Sequence, residues 1–309
     1  MKAFVTGGAG FIGSNLVRRL LQKGDSVTVF DNLSSGKESN LPKADRVTLV
    51  KNDVLNLAAL KDAIAGHDIV FHLSSNPDIA RGLTETSLDL NQGTIATYNV
   101  LESMRTNNVN KIIFPSGSGV YGEVGGRIIA EDYGPLVPIS MYGATKLASE
   151  AMISCFSHAF SMHGFIFRLG NVVGNRMTHG VIFDFIQKLK RNPATLTVLG
   201  DGNQTKPYIH VDDVIDAMFL ATERATDRVN IFNVATDDWP TVTWIAQTVI
   251  EEMDLKNARI EYTGGDRGWK GDVPIVRLDT TKIKKLGWRY RYDSKQAIRN
   301  AIRATLSGI

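Results

Sequence analysis

Tyr142 and Lys146 stand four residues apart in Tyr142-Gly143-Ala144-Thr145-Lys146, where apolar spacing predicts a helix over 142–162. On a helix that separation puts both side chains on one face. A phenol ionises near 10, so acting as a base near pH 7 requires lowering its pKa by about 3, or ~4 kcal/mol. An ammonium about 5 Å away supplies roughly 3 kcal/mol at an effective dielectric of 20. The pair is competent for proton transfer, although Tyr and Lys at this spacing are also common on ordinary surfaces.

A second constellation opens the chain. In Thr6-Gly7-Gly8-Ala9-Gly10-Phe11-Ile12-Gly13 the glycines at 7, 10 and 13 lie between a predicted strand, Lys2–Thr6, and a predicted helix over 12–22. Glycine there allows a tight turn, close approach of backbone N–H groups to a pyrophosphate and tight helix–strand packing. The helix N-terminus adds partial positive charge. A plain structural turn would show the same residues, but the strand–loop–helix context favours a dinucleotide. Asp31 follows 24 residues after Gly7 and ends the second predicted strand. Its carboxylate can accept from ribose hydroxyls and would repel a 2′-phosphate, so the cofactor expected is NAD rather than NADP. A turn role in Asp31-Asn32-Leu33-Ser34-Ser35-Gly36 stays open. Asp53 can bond the adenine amine or cap a helix. A nicotinamide cation near Tyr142 would supply the rest of the phenol's shift.

These residues need a scaffold. Strands are predicted at 26–30, 47–50, 69–73, 111–114 and 165–169, with helices at about 57–65, 91–107 and 142–162. Strand–helix alternation implies right-handed crossovers and a doubly wound parallel α/β sheet of Rossmann type. Beyond residue 170 the pattern is irregular, with helices expected at 181–191, about 212–224 and about 241–253. Residues 1–169 plus about 207–236 should form the NAD-binding domain. A smaller C-terminal α/β lobe, about 170–206 and 237–309, should bind substrate.

The 309 residues are 43% hydrophobic and 22% charged, with 35 basic against 32 acidic side chains. Disordered and fibrous classes are excluded. The small, interspersed charge excess gives no reason to expect nucleic acid or a membrane surface as partner. No stretch approaches the roughly 20 apolar residues of a membrane span. Glycines at 7, 8 and 10 interrupt any signal-peptide core. One cysteine, Cys155, forbids an intrachain disulfide and fits a reducing compartment, so a cytoplasmic location is expected.

With these residues quoted, a resemblance is clear. TGGAGFIGS, Asp31, HLSS at 72–75, VYGE at 120–123, YGATK, RLGN at 168–171 and YIHVDDVIDA at 208–217 resemble the extended short-chain dehydrogenase/reductase family, in its NAD-dependent epimerase/dehydratase group. Within that group the chain is similar to the compact archaeal-type UDP-glucose (UDP-galactose) 4-epimerases, from Lys2 to about Trp288. The resemblance implies that Tyr142 and Lys146 are catalytic, that NAD stays bound through turnover, and that homodimers form through helices at about 91–107 and 142–162. It implies cofactor contacts from Gly7, Gly10, Phe11, Ile12 and Gly13, from Asp31, Asn32, Asp53 and Val54, and from Leu73, Ser74, Ser75 and Asn91. The reaction implied is transient oxidation at C4 to a 4-ketose, with hydride returned to the opposite face. Another nucleotide-sugar epimerase, a net oxidoreductase or a non-catalytic NAD-binding sensor remain alternatives.

The pattern departs from the family at one catalytic position. A Ser or Thr is usual four residues before the Tyr of VYG, and here that residue is Gly117, flanked by Ser116 and Ser118. One lost donor typically costs about 10²–10³ in rate, so Ser118 or Ser116 is expected to substitute, although Ser118 reads equally as a turn residue. Dehydratases of the group place Asp-Glu directly after that position; here stand Ser118 and Gly119, which disfavours dehydration. Asn91 is two residues before Gly93 rather than the usual three, which leaves its role open.

For the nucleotide-sugar substrate, expected to be a UDP-hexose, the resemblance points to Asn171 and Arg267 at the pyrophosphate. A guanidinium fork suits two phosphate oxygens, though an exposed loop charge is the plain reading of Arg267. Lys206 stands where Arg is more usual. Asp272 can hold a ribose hydroxyl or brace its loop, and Arg81 can face the sugar. His210-Val211-Asp212-Asp213 reads as a strand end and helix caps, so no metal is expected. His72 and Cys155 read as packed residues.

Overall fold

The computed structural model describes residues 1–308. Its first half alternates strands and helices: β1 (Lys2–Thr6), α1 (Phe11–Gln22), β2 (Ser26–Asp31), β3 (Val47–Lys51), α2 (Leu57–Ile64), β4 (Ile69–His72), α3 (Thr86–Asp89), α4 (Ala96–Thr106), β5 (Lys111–Gly117), α5 (Met141–Ala159) and β6 (His163–Leu169). Shorter elements follow: β7 (Asn171–Val173), α6 (Val181–Arg191), β8 (Thr195–Val198), β9 (Tyr208–His210), α7 (Val211–Arg224), β10 (Val229–Val234), α8 (Val242–Glu252), β11 (Arg259–Tyr262), α9 (Thr281–Lys285) and α10 (Ser294–Leu306).

Seven strands form one sheet in the order β10-β6-β5-β4-β1-β2-β3. β1 pairs in parallel with β2 and β4, and β2 with β3 and β4 with β5 likewise. Thr6 is in register with Phe30 and with His72, so the carboxyl ends of β1, β2 and β4 lie side by side. The strand order reverses between β1 and β4, and ligands of open α/β sheets bind at that reversal. Ala3–Thr6 and Ile69–His72 are buried at every residue, as strands covered on both faces must be. Phe4, Phe30, Leu60, Met104, Phe114 and Ile153 join α2, α4 and α5 to the sheet in one apolar core. Each such side chain contributes about 1.5–3 kcal/mol by leaving water.

The chain divides into two compact units. The first comprises Met1–Val120, Ser140–Arg168 and Met218–Phe232; the second comprises Tyr121–Ile139, Leu169–Ala217 and the chain from Asn233 onward. The second unit thus takes in Tyr121–Ile139 and residues 207–217, which the expected boundaries put in the NAD-binding domain. Its internal bonds explain this. Tyr121 Oη donates to Asn233 Oδ1 at 2.7 Å, Ile129 N to Arg277 O at 3.0 Å and Asn233 Nδ2 to Ile129 O at 2.8 Å. β7 also pairs with β9, and β8 with β11, inside this unit.

Two expected elements are longer in the structure. The helix expected over 91–107 begins at Thr86 and passes through a π-helical turn, Leu90–Ile95, before α4. The strand expected over 111–114 continues as β5 to Gly117, so the residue lacking a side chain is the last of a strand.

Candidate active site

The glycine loop leaves β1 at the sheet's reversal. Gly7 has φ +68°, and a Cβ there would meet Ser74 N at 2.7 Å; a Cβ on Gly13 would meet Gly8 Cα at 2.7 Å. Any side chain would displace backbone at either position. Thr6 Oγ1 ties the two strand ends together, accepting from Leu73 N and Ser74 N at 3.2 Å each. Ser75 continues this half-buried segment. Gly10 caps α1 with no side-chain hydrogen bond, Phe11 and Ile12 open the helix, and its first turn carries no acid. An uncapped helix start without competing carboxylates suits an anion.

Asp31, 8% exposed, accepts from Ala9 N at 2.9 Å and Leu33 N at 2.8 Å. It therefore does serve its turn, yet an ionised carboxylate accepts about four hydrogen bonds and capacity for a ribose remains. Asn32 Nδ2 donates to Asp53 Oδ2 at 2.8 Å. The cap of α2 is Asn56, which accepts from Ala59 N, so Asp53 is not that cap. Buried Val54 follows it, and Asn99 Nδ2 donates to Val54 O at 3.0 Å. The cradle fits a dinucleotide in space, charge and hydrogen-bonding capacity.

α5 starts where it does because Ser140 Oγ accepts from Gly143 N at 3.1 Å. Tyr142 thereby falls in the first turn and Lys146 one turn on. Lys146 is 5% exposed; its Nζ donates to Pro115 O at 2.9 Å and lies 5.5 Å from the Tyr142 ring centre. Burial, and then the Asp89 carboxylate, pushes the Tyr142 phenol up to about 12. Burial pulls the Lys146 ammonium down to about 8, against the opposing pull of Glu150 and Asp89. Five pH units correspond to about 7 kcal/mol, whereas the ammonium at this range supplies roughly 3 kcal/mol. The pair alone leaves Tyr142 protonated at neutral pH. A base at this position would need a further positive charge beside it.

A Cβ built on Gly117 would approach Tyr142 at 3.8 Å from Cε1 and 3.9 Å from Oη, with nothing closer. Ser116 is 3% exposed, its Oγ unpartnered among the described residues, and strand alternation turns it away from the face of position 117. Ser118 opens a 3-10 turn, Ser118–Tyr121, and is half-exposed. Asn91 is exposed on the π turn. His72 is a packed residue: 1% exposed, it bonds Thr6 Oγ1 at 2.8 Å and Thr97 Oγ1 at 3.1 Å, and burial followed by Lys146 drives it down to about 3. Cys155 is exposed on α5, which corrects its reading as a packed residue. It falls on the helix side away from buried Ile153 and Ser157.

Three of the four expected substrate ligands meet in the second unit. Lys206 Nζ donates to Asp272 Oδ1 at 2.5 Å, and Arg267 Nη1 to Asp272 O at 3.0 Å. Arg267 Nη2 also donates to Glu123 Oε1 at 2.7 Å. Two cations are thus held side by side, each already facing a carboxylate. Asn171 is joined by a side-chain hydrogen bond to Tyr208, whose phenol burial pushes up to about 12. Arg81 is spent on Glu85, at 2.8 and 2.9 Å. His210 Nδ1 receives Asp212 N at 3.3 Å, and buried Asp213 accepts Arg291 N at 3.1 Å; among the described residues no group of three metal-binding side chains occurs. Asp89 and Glu123 had no assigned role. Asp89 could have been noticed because it shares a helical stripe with buried Ala96, Val100 and Met104.

Known proteins are similar to this chain along its length. A putative UDP-glucose 4-epimerase of Methanocaldococcus jannaschii is 31% identical over 306 residues, covering 96% of each chain. A crystal structure of a UDP-galactose 4-epimerase superposes with a TM-score of 0.90 at 36% identity over the whole of both chains. The UDP-glucose 4-epimerase of Thermotoga maritima, solved with UDP-glucose, gives 0.91 at 30% identity, over 100% of this chain and 99% of that one. Other relatives do different chemistry on similar scaffolds. They include a UDP-N-acetyl-alpha-D-glucosaminuronate decarboxylase of Bacillus cytotoxicus at 28% identity and a dTDP-glucose 4,6-dehydratase of Mycolicibacterium smegmatis at 31%. The family model matches residues 3–235, and the chain belongs to the NAD dependent epimerase/dehydratase family.

Proposed function

We propose that the chain is a nucleotide-sugar 4-epimerase acting on a UDP-hexose, UDP-glucose and UDP-galactose before others. The observation that carries this reading is the α5 start, where Tyr142 and Lys146 share a turn beside position 117. NAD, when bound, supplies reversible hydride acceptance at the sugar C4. Tyr142 Oη takes the O4 proton and gives it back after the 4-ketose has turned over. Lys146, held by Pro115 O, keeps positive charge beside the phenol and bonds the nicotinamide ribose. Ser118, or else Ser116, supplies the hydroxyl that Gly117 lacks. Arg267, Lys206 and Asn171 hold the diphosphate, and Asp272 a ribose hydroxyl. Ser118 and Gly119 offer no acid–base pair for loss of water, which weighs against a dehydratase.

We infer a homodimer built on α4 and α5. Leu90, Ile95 and Tyr98 are 46%, 41% and 41% exposed along the π turn and α4, and Phe160 just past α5 is 47% exposed. Tyr98 packs edge-on against Phe156 at 6.3 Å, and Phe156 lies 5.1 Å from Phe160, so these three aromatic rings adjoin one another. The mass in solution tests this directly.

The function is tested by incubating the purified protein with UDP-galactose and no added NAD, then resolving the sugars. UDP-glucose should form to equilibrium with no net NADH. Stoichiometric NADH would identify a net oxidoreductase instead. Gly117 supports a second reading, a non-catalytic NAD-binding sensor, and the absence of any turnover with retained NAD would favour it.

A further inference from the structure

Asp89 is a buried carboxylate to which the proposed reaction gives no part. It ends α3 and is 2% exposed. Asn76 Nδ2 donates to Oδ1 at 2.9 Å, while Oδ2 has no hydrogen-bond partner among the described residues. Gly82 is wedged between that oxygen and the start of α5: a Cβ there would overlap Oδ2 and lie 3.5 Å from Met141 Cβ. Gly93 of the π turn is as close to α5, since a Cβ there would meet Thr145 Oγ1 at 2.8 Å. The carboxylate thus rests against the turn that carries Tyr142 and Lys146, and it acts electrostatically on both. A buried carboxylate with a bare oxygen is unfavourable unless a charge compensates it.

The other charged groups facing this place are committed elsewhere. Glu150, on α5, is paired with Arg168 at 2.8 Å, both side chains 4% exposed. His72, on β4, is neutral, driven to about 3 by burial and then by Lys146. Asp78 is exposed and its carboxylate accepts from Arg81 N at 3.2 Å. Burial pushes the Asp89 carboxyl above its ordinary range, and the Asn76 bond and then the Lys146 ammonium oppose that push. Glu150, for all its pairing with Arg168, and then Asp89 in turn favour the ammonium of Lys146.

We propose that Asp89 is a positioning residue of the proton-transfer site: its fixed negative charge keeps Lys146 an ammonium and so sets the pH range in which Lys146 and Tyr142 work together. This deepens the epimerase reading and rests on it for turnover. The signs follow from charge. Removing a negative charge makes the Lys146 proton easier to lose and the Tyr142 phenolate easier to form. Both groups then titrate at lower pH.

Asp89→Asn tests this, because it keeps the acceptor for Asn76 and deletes the charge. In the holoenzyme as purified, both limbs of the pH profile of kcat should move to lower pH by about one unit or more, one unit being the effect of a unit charge roughly 12 Å away at an effective dielectric of 20. Tyr142 phenolate, read by near-ultraviolet difference absorbance with Tyr142→Phe as the blank, should appear at correspondingly lower pH. Asn76→Ala removes a bond but leaves the carboxylate charged where Lys146 and Tyr142 titrate, so it should leave both readouts in place. Asp89→Ser, which also deletes the charge, should move them and decides the matter if Asp89→Asn does not fold. A profile that loses height without moving, with an unmoved phenolate titration, would overturn the proposal and leave Asp89 a packing residue. If no protein turns over UDP-hexose, the epimerase reading fails, and the phenolate titration still decides the role of Asp89.

Discussion

Gly117 lies directly against the phenol of Tyr142: a Cβ at that position would sit 3.8 Å from Cε1 and 3.9 Å from Oη of that ring. The last residue of β5 therefore has room for the hydroxyl it lacks. Ser118→Ala should lower turnover by roughly 10²-fold, the cost of one lost donor. Gly117→Ser in that background should recover part of it, because the space is already present. Full activity in both Ser116→Ala and Ser118→Ala would eliminate the serines and leave an ordered water or a backbone N–H as donor. Ser116, buried on the opposite strand face, should show the smaller effect of the two on kcat.

Tyr142→Phe should abolish nearly all turnover while NAD content stays within a few fold. The ring keeps its packing under the Lys146 ammonium, 5.5 Å from Nζ, and only the proton-transfer oxygen is lost. Substantial epimerisation by the variant at neutral pH would assign the base elsewhere.

The shape of the glycine loop is legible in the sequence because backbone geometry admits few residues there. Gly7 at φ +68° and Gly13 against Gly8 leave no choice of side chain, and Asp31 closes the same turn. The Tyr142–Lys146 pair was legible from helical spacing, but its electrostatics were not. Spacing gives the ammonium's distance and says nothing of the burial that lifts the phenol to about 12. Asp89 and Glu123 went unassigned for a related reason: their partners, Asn76 and Arg267, are 13 and 144 residues away in sequence. In the second unit, β7 and β9 have three residues each, too few for a period of two to show.

Purified protein should carry NAD(H), released on denaturation and measurable in the supernatant. Asp31→Ala should reduce that content, because it removes both the ribose acceptor and the bonds from Ala9 N and Leu33 N that shape the loop. A wild-type preference for NADP over NAD would contradict the role given to this carboxylate.

Arg267→Gln should weaken UDP binding by roughly 10- to 100-fold, the range for one lost hydrogen bond to a charged group. Glu123→Gln should act in the opposite sense, because Glu123 Oε1 occupies Arg267 Nη2 at 2.7 Å and competes with any phosphate for it. Calorimetric titration with UDP measures both. Equal affinities in wild type and Arg267→Gln would remove this arginine from the nucleotide site.

Acid should destabilise the first unit through His72. Its folded-state pKa is about 3, against 6.5 for the free side chain, because burial and then Lys146 oppose its charge. Below pH 6.5 the unfolded chain binds a proton that the folded chain refuses, so stability falls as pH falls from about 6.5 towards 3. One such group contributes a slope near 1.4 kcal/mol per pH unit within that window, and none above it. His72→Gln keeps hydrogen-bonding capacity for Thr6 and Thr97, which sit 2.8 and 3.1 Å from the ring nitrogens. The variant should be less stable at pH 8, where the native imidazole packs best, and should lose stability less steeply on acidification. Urea midpoints measured between pH 4 and 8 on both proteins give the two slopes. Parallel slopes would mean that His72 takes up its proton without unfolding the strand ends it joins.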